Sequence, residues 1–132
     1  MPKRVLLIDD DERLVAALQI RLTAAGYEIF TARDGDDGLS EAAVFQPDAI
    51  ILDVRMPKIE GFEVCRVIRT VPELRDIPII ILSATAESPE ILEAGGNVFM
   101  RKPYHLPRLL SVLGELINRP PDDKSGKKRD VA

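Results

Sequence analysis

The sequence predicts an α/β protein in which helices cover both faces of a parallel sheet. Short apolar runs alternate with longer amphipathic stretches along most of the chain, which is the pattern of repeated βα units. The apolar runs are nearly continuous in Val, Ile and Leu, as is typical of strands buried on both sides. The 132 residues are 45% hydrophobic and 30% charged, so one domain can bury a core without disulfides or a structural metal.

Five strands are predicted from the apolar runs and the turn residues that bound them. The second is the least apolar and is therefore expected near an edge of the sheet. The predicted strands cover residues 5–8, 28–32, 49–52, 77–82 and 98–100.

Five helices are predicted between and after these strands. In the first, Leu14, Leu18 and Leu22 share one face at a spacing of four, and Gly26 is its stop signal. The fourth is short because Gly95 and Gly96 end it. The remaining helices and this short one are predicted at residues 36–45, 61–71, 89–94 and 106–118.

The C-terminal segment differs in composition from the body. Residues 119–132 show no periodicity and have two prolines, Pro120 and Pro121, near their start. They contain five basic and three acidic residues. Segments of this kind cannot bury enough apolar surface to order themselves. We therefore expect one domain over residues 1–118 and a disordered charged tail over residues 119–132.

Composition and motifs exclude several classes of protein. The formal net charge of −4 argues against bulk attraction to nucleic acid or an anionic membrane. The single cysteine, Cys65, allows neither an internal disulfide nor a cysteine metal cluster. No targeting segment appears, and apolar runs such as residues 79–82 are far too short to span a bilayer, so a cytoplasmic location is expected. Neither a P-loop nor a dinucleotide fingerprint occurs, so no nucleotide cofactor is expected.

Chemically useful residues stand where four of the predicted strands end. Asp9 and Asp10 follow the first strand, Asp53 ends the third, Ser83 ends the fourth and Lys102 lies just beyond the fifth. Parallel strands place their carboxyl ends on one edge, where open α/β sheets bind their ligands. These side chains are therefore expected to converge.

Three carboxylates close together repel one another, so positive charge must compensate. Lys102 supplies one charge, and a hard divalent cation with oxygen ligands would supply two. No calcium-binding loop pattern is present, which favours Mg²⁺. A carboxylate that faces Mg²⁺ and an ammonium group is a good phosphoryl acceptor, and a serine hydroxyl could hydrogen-bond the new phosphoryl group.

These motifs resemble the receiver domain of bacterial two-component response regulators. The resemblance covers about residues 3–118 and implies a flavodoxin-like (βα)5 fold, with a doubly wound five-stranded parallel sheet of order 2-1-3-4-5. It rests on four motifs: Val5-Leu6-Leu7-Ile8-Asp9-Asp10, Ile51-Leu52-Asp53-Val54-Arg55-Met56-Pro57 with Gly61, Ile81-Leu82-Ser83-Ala84, and Lys102-Pro103-Tyr104.

The resemblance implies a role for each site residue. Asp53 would be the phosphoacceptor, with Lys102 pairing with the phosphoryl group and Ser83 contacting its oxygen. Ser83 and Phe99 would be the switch residues. Asp10 would bind the metal directly, and Asp9 through metal-bound water or hydrogen bonds. The predicted Mg²⁺ site therefore consists of Asp9, Asp10, Asp53 and the backbone carbonyl of Arg55.

Two features are specific to this chain. Only 19 positions separate Ser83 from Lys102, fewer than is usual in the family, so the fourth helix or its leading loop is shortened. The side chain of Arg55 should lean toward the phosphoryl site.

The Lys102–Pro103 bond matches a position that is usually cis in the family.

The function implied is that of a single-domain response regulator. It would accept a phosphoryl group from a histidine kinase or phosphotransfer protein, and catalyse only its own phosphorylation and dephosphorylation, so it is not expected to be an enzyme. If the chain is complete, its output must be contact with a downstream protein. The chain is expected to be a monomer or weak dimer, with no nucleic-acid or membrane partner.

Two other functions compete with this one. A haloacid-dehalogenase-like phosphatase also uses an aspartyl phosphate, and its motif resembles residues 9–11, but Arg13 replaces the usual Thr or Ser and Asp53 would have no role. A binding module that is never phosphorylated is disfavoured by the complete site. Cys65 is expected to be an inert packing residue, His105 a loop or cap residue, and residues 127–129 a solvated end.

Overall fold

A computed structural model describes residues 2–54, 59–83, 95–118 and 130–131. The strands in these ranges are β1 (Arg4–Ile8), β2 (Glu28–Ala32), β3 (Ala49–Val54), β4 (Ile79–Ser83), β5 (Val98–Arg101) and β6 (Asp130–Val131). The helices in these ranges are α1 (Glu12–Ala24), α2 (Gly35–Phe45), α3 (Ile59–Thr70) and α4 (Leu106–Asn118).

All strands pair in parallel, in the order β2-β1-β3-β4-β5-β6. The predicted α/β class and the order 2-1-3-4-5 of the five main strands are therefore confirmed. The predicted short fourth helix, at residues 89–94, lies outside the described residues.

The sixth strand departs from the expected five-stranded sheet. Asp130 and Val131 pair with Val98 and Phe99 on the outer side of β5 and form the sixth strand. Backbone groups at a sheet edge are open to pairing with any extended segment, a possibility that composition alone does not reveal. The division into a domain at 1–118 and a tail at 119–132 otherwise stays a prediction.

The core lies in two layers, one on each face of the sheet. Strand residues alternate between the layers because successive side chains in a strand point to opposite faces. On one face, α2 and α3 pack against a layer that includes Leu6, Ile50 and Ile81. On the other face, α1 and α4 pack against a layer that includes Leu7, Ile51, Ile80 and Leu82. Both faces of the central strands are therefore buried, and only the ends of the strands remain available for chemistry.

Candidate functional site

The carboxyl edge of the sheet brings the predicted site residues together. Asp9 directly follows β1, Asp53 lies within β3, Ser83 ends β4 and Lys102 directly follows β5. Leu52 pairs with Ile8 on one side and Ile81 on the other, and β3 and β4 continue two residues further, where Val54 pairs with Ser83. The convergence expected from strand polarity is confirmed, whereas the chemical roles of these residues stay predictions.

The centre of the site is a cluster of three carboxylates. One oxygen from each of Asp9, Asp10 and Asp53 lies within 4.8 Å of the others. Asp9 is buried, Asp10 is exposed and the Asp53 side chain is only 2% exposed. The cluster therefore extends from the end of the core to the surface, with its most accessible carboxylate on the loop.

The local sequence at residues 9–11 gives each aspartate a different position. The Asp9 amide donates to the carbonyl of Ala32 at 3.0 Å, which continues the pairing of β1 with β2. Asp9 Oδ1 accepts from the Asp11 amide at 2.9 Å. Asp11 is the N-cap of α1, and its Oδ1 accepts from the amides of Arg13 and Leu14. Helix capping thus accounts for Asp11, whereas Asp9 and Asp10 belong to the carboxylate cluster.

Burial changes the protonation of Asp9. Loss of solvent raises its pKa from 3.8 to about 6, and the nearby charge of Asp53 adds to this, while the Asp11 amide and Lys102 act in the opposite direction. Its Oδ2 is buried without a hydrogen-bond partner among the described residues. Positive charge nearby would stabilise the ionised form of such a buried carboxylate.

Lys102 supplies the fixed positive charge of the site. Its Nζ lies 2.6 Å from Asp53 Oδ1, and its side chain is 25% exposed. The Lys102 amide donates to the carbonyl of Ser83 at 2.7 Å. This backbone bond joins the residue after β5 to the end of β4, so the position of the ammonium group depends on how β5 sits beside β4.

The two predicted switch residues lie in different surroundings. Ser83 is fully buried at the end of β4, where it pairs with Val54, the residue after Asp53. Phe99 is 4% exposed and packs in the core layer under α2 and α3. Ser83 is thus placed near the phosphoacceptor candidate, and Phe99 lies in the strand that leads to Lys102.

Some predicted features lie outside the described residues. These are the carbonyl and side chain of Arg55, the rest of residues 55–58, the predicted fourth helix and the basic residues 127–129.

Sequence reasoning named Tyr104 within a motif but gave it no role; it is half-buried against the layer under α1 and α4. Burial raises the pKa of its hydroxyl, and the charges of Asp9 and Asp53 raise it further, so the ring lies close to the acidic cluster. Its position after Lys102 and Pro103 was the available signal. The Lys102–Pro103 bond is cis, as the resemblance implies.

Cys65 and His105, which the sequence also singled out, have surroundings that fit structural roles. Cys65 is fully buried in α3, and burial raises the pKa of its thiol to about 11, in keeping with inert packing. His105 is exposed and its carbonyl accepts from the Leu109 amide, which fits a residue at the start of a helix.

The residues present fit a hard divalent cation. All three clustered side chains are carboxylates, which are the ligands that Mg²⁺ prefers, whereas softer metals favour histidine or cysteine. The buried Asp9 Oδ2 without a hydrogen-bond partner would gain a positive neighbour. Asp9, Asp10 and Asp53 could therefore hold Mg²⁺ at this edge of the sheet.

Comparison with known proteins agrees with this geometry. Residues 5–114 match the response regulator receiver domain family, and the chain belongs to that family. It is 38% identical over 131 residues to the response regulator MprA of Mycolicibacterium vanbaalenii, in an alignment that covers 96% of this chain and 56% of MprA. The chain therefore spans about half the length of the curated relatives it matches.

Solved structures show the same fold. A putative response regulator from Chloroflexus aurantiacus superposes with a TM-score of 0.82 at 31% identity, covering 90% of this chain and all of that one. The receiver domain of the sensor histidine kinase PA1611 from Pseudomonas aeruginosa, which has a magnesium ion coordinated in its active-site cleft, has a TM-score of 0.80 at 29% identity and covers 89% of this chain and 98% of that one. Among the described residues, no helix is both long and apolar enough to cross a membrane.

Proposed function

We propose that this chain accepts a phosphoryl group on Asp53 in a Mg²⁺-dependent reaction and thereby acts as the receiver of a two-component or phosphorelay system. The observation that carries the proposal is the surroundings of Asp53. Its side chain is 2% exposed, its Oδ1 lies 2.6 Å from Lys102 Nζ, and it shares a cluster with Asp9 and Asp10. A buried nucleophilic carboxylate with a fixed cation and a candidate metal site is suited to phosphoryl transfer.

In the proposed transfer, a carboxylate oxygen of Asp53 attacks the phosphorus of a phosphohistidine. The new P–O bond forms as the P–N bond breaks, and the departing imidazole keeps the electron pair of that bond. Lys102 pairs with an oxygen of the transferred group, as ammonium groups do in phosphoryl transfer. The Ser83 hydroxyl donates to another oxygen and so senses the new group at the end of β4.

The carboxylates of Asp9, Asp10 and Asp53 would hold Mg²⁺, and the resemblance adds the backbone carbonyl of Arg55. When bound, the ion supplies positive charge that neutralises the transferring oxygens. The magnesium ion in the Pseudomonas aeruginosa receiver supports this assignment. Asp9 would gain a compensating charge, because it is buried and its Oδ2 has no hydrogen-bond partner among the described residues.

The proposed donor is a histidine kinase or a phosphotransfer protein, and the proposed output is contact with another protein. The chain would catalyse only the gain and loss of its own phosphoryl group, in the cytoplasm. Phe99 would respond to the state of Ser83 from the neighbouring strand, because Ile81 of β4 pairs directly with Phe99.

Intact-mass measurement tests the proposal. The purified chain is incubated with a small acyl-phosphate donor, with Mg²⁺ or with chelator, alongside Asp53→Asn. We expect one added phosphoryl group in the parent with Mg²⁺, and none in the variant or with chelator. Equal labelling of Asp53→Asn would contradict the assignment. Steady turnover of other phosphate esters would instead favour a phosphatase.

A further inference from the structure

Strand β5 is short, so its pairing with neighbouring strands fixes its register only weakly. It has four residues, which pair with β4 from Val98 opposite Ile80 to Arg101 opposite Ser83, and the described strand on its outer side pairs with only two of them. A slip of one residue would shift the strand by roughly 3.3 Å and turn each side chain to the other face. Such a slip would carry Lys102 away from Asp53.

Arg69, in the last turn of α3, donates to three backbone carbonyls in the turns that precede β4 and β5. Its Nε and Nη2 donate to the carbonyl of Gly95 at 3.0 and 2.7 Å. Its Nη1 donates to the carbonyls of Arg75 and Ile77, each at 2.8 Å. Because the guanidinium is planar and rigid, these bonds fix the turn before β5 relative to the turn before β4.

Asn97 completes the connection. Its Oδ1 accepts from Arg69 Nη2 at 2.7 Å and from the Ile79 amide at 2.8 Å. The Asn97 amide donates to the Ile79 carbonyl, also at 2.8 Å. The residue before β5 is therefore bound to the first residue of β4 in both directions, and Arg69 holds the side chain that makes one of these bonds.

Gly95 allows this close approach. Its φ of +102° favours glycine, and a Cβ atom there would lie 3.0 Å from Arg69 Cγ and 3.1 Å from Nε. The guanidinium stem and the turn are therefore packed directly on each other. The contact does not depend on hydrogen bonds alone.

We infer that Arg69 and Asn97 set the register of β5 and so position Lys102 at Asp53, which makes Arg69 a positioning residue for the phosphoacceptor site. The inference about catalysis rests on the proposed function, whereas the inference about register does not. Arg69 acts through β5, while Asp9, Asp10 and Asp53 are held by β1 and β3. Loss of Arg69 should therefore affect phosphoryl transfer without affecting the acidic cluster.

The test compares Arg69→Lys with Arg66→Lys, one turn earlier on α3, where the arginine is 43% exposed and pairs only loosely with Glu63 at 3.6 Å. Both keep the charge. At saturating Mg²⁺, Arg69→Lys should lower the rate constant for phosphorylation by an acyl phosphate by at least about threefold, since misplacement by about 1 Å can cost up to 10²-fold. Its dissociation constant for Mg²⁺ should match that of the parent, and Arg66→Lys should change neither.

Asn97 provides a second pair of variants. Asn97→Asp keeps the accepting oxygen for Arg69 and Ile79 and should behave as the parent, whereas Asn97→Ala should behave as Arg69→Lys. If Arg69→Lys and Asn97→Ala only lower the melting temperature, with unchanged rate constants for the folded protein, the positioning role is wrong. Equal loss of Mg²⁺ affinity and rate would also contradict it.

The inference about register can be tested even if the proposed function is wrong. If the parent is not phosphorylated at all, the register is tested by amide hydrogen exchange in the unmodified protein. Faster exchange at residues 98–102 in Arg69→Lys than in Arg66→Lys supports the register role, and equal exchange overturns it.

Discussion

At the scale of single residues, the site depends on how differently three neighbouring aspartates are held. Asp11 caps α1, Asp10 is exposed and Asp9 is buried with a raised pKa. Asp9 and Asp10 after one strand and Asp53 after another predicted a site, because clustered carboxylates need compensating positive charge. The sequence could not show that the pKa of Asp9 would be raised, since that depends on its burial in the fold and on the charge of Asp53, which is distant in sequence.

Replacement of Asp9 by asparagine should stabilise the Mg²⁺-free protein at neutral pH. The folded state raises the pKa of Asp9 from 3.8 to about 6, so the stability it contributes is present below about pH 4 and is lost as pH rises through about 6. Asp9→Asn should therefore raise the free energy of unfolding by on the order of 1–3 kcal/mol at about pH 7.

Urea unfolding of the parent and of Asp9→Asn, at about pH 4 and pH 7, measures this effect. The difference between the two proteins should be small at the lower pH and should shrink at the higher pH when Mg²⁺ is added. A variant less stable than the parent at neutral pH without Mg²⁺ would show that the Asp9 charge is already compensated.

Substitution of Lys102 and substitution of Ser83 should have different effects. Lys102→Ala removes the cation 2.6 Å from Asp53 and should slow phosphorylation by on the order of 10²-fold, with a smaller effect on Mg²⁺ binding. Ser83→Ala should still accept the phosphoryl group, with smaller chemical-shift changes elsewhere in the domain. Wild-type shift changes in Ser83→Ala would exclude its switch role.

At the scale of elements, the sequence predicted which strands and helices exist better than where they end. The prediction placed the fourth strand at residues 77–82, but β4 begins at Ile79. Pro78 lacks an N–H to donate, and only its carbonyl contributes to pairing, by accepting from Ile50. The third strand continues to Val54, so Asp53 lies inside β3 and is held more rigidly than a loop residue.

The last helix, α4, has the bounds that the sequence predicts, but the sequence does not show which of its apolar residues are most buried. Leu109, Val112, Leu113 and Leu116 are buried, whereas Leu110 and Ile117 are half-buried. Regular helical spacing reveals an apolar face but not the side of it that the sheet contacts.

The turn before β5 should be more sensitive to substitution than the turn before β2. Gly26 and Gly95 have nearly equal φ values, +101° and +102°, but a Cβ atom at Gly26 would meet nothing within 4 Å, whereas one at Gly95 would meet Arg69. Gly26→Ala should cost about 1–2 kcal/mol from backbone strain alone, and Gly95→Ala should cost more.

Thermal or urea unfolding of both alanine variants, with and without Arg69→Ala, isolates the contact in a double-mutant cycle. The excess cost at Gly95 should fall when Arg69 is truncated. Equal costs at the two glycines would mean that Arg69 moves aside freely, which would weaken its role in the register of β5.

At the scale of the whole molecule, parallel strand polarity explains why so much of the site was predictable. Once four strands end in Asp, Asp, Ser and Lys, a parallel sheet places these side chains on one edge whatever their separation in sequence. Two features were not predictable: the contacts made by Arg69 and the pairing of β6. Both depend on the packing of segments that are distant in sequence, which the pattern of apolar residues does not show.

The two-layered core and the site are parts of one arrangement. Residues at the centre of β1, β3 and β4 are almost completely buried on both faces, so the packed sheet supports the carboxyl edge, where the proposed phosphoacceptor site lies. The bond from the Lys102 amide to the Ser83 carbonyl connects the residue that carries the ammonium group to the predicted switch residue.

Chemical identification of the phosphorylated residue tests the central claim most directly. The chain is treated with an acyl-phosphate donor and Mg²⁺, reduced with borohydride, which converts an aspartyl phosphate to homoserine, and mapped by peptide mass spectrometry. We predict homoserine at position 53 alone, absent when donor or Mg²⁺ is omitted. Homoserine at position 9 or 10 instead, or none in a protein that has gained a phosphoryl group, would contradict Asp53 as the phosphoacceptor.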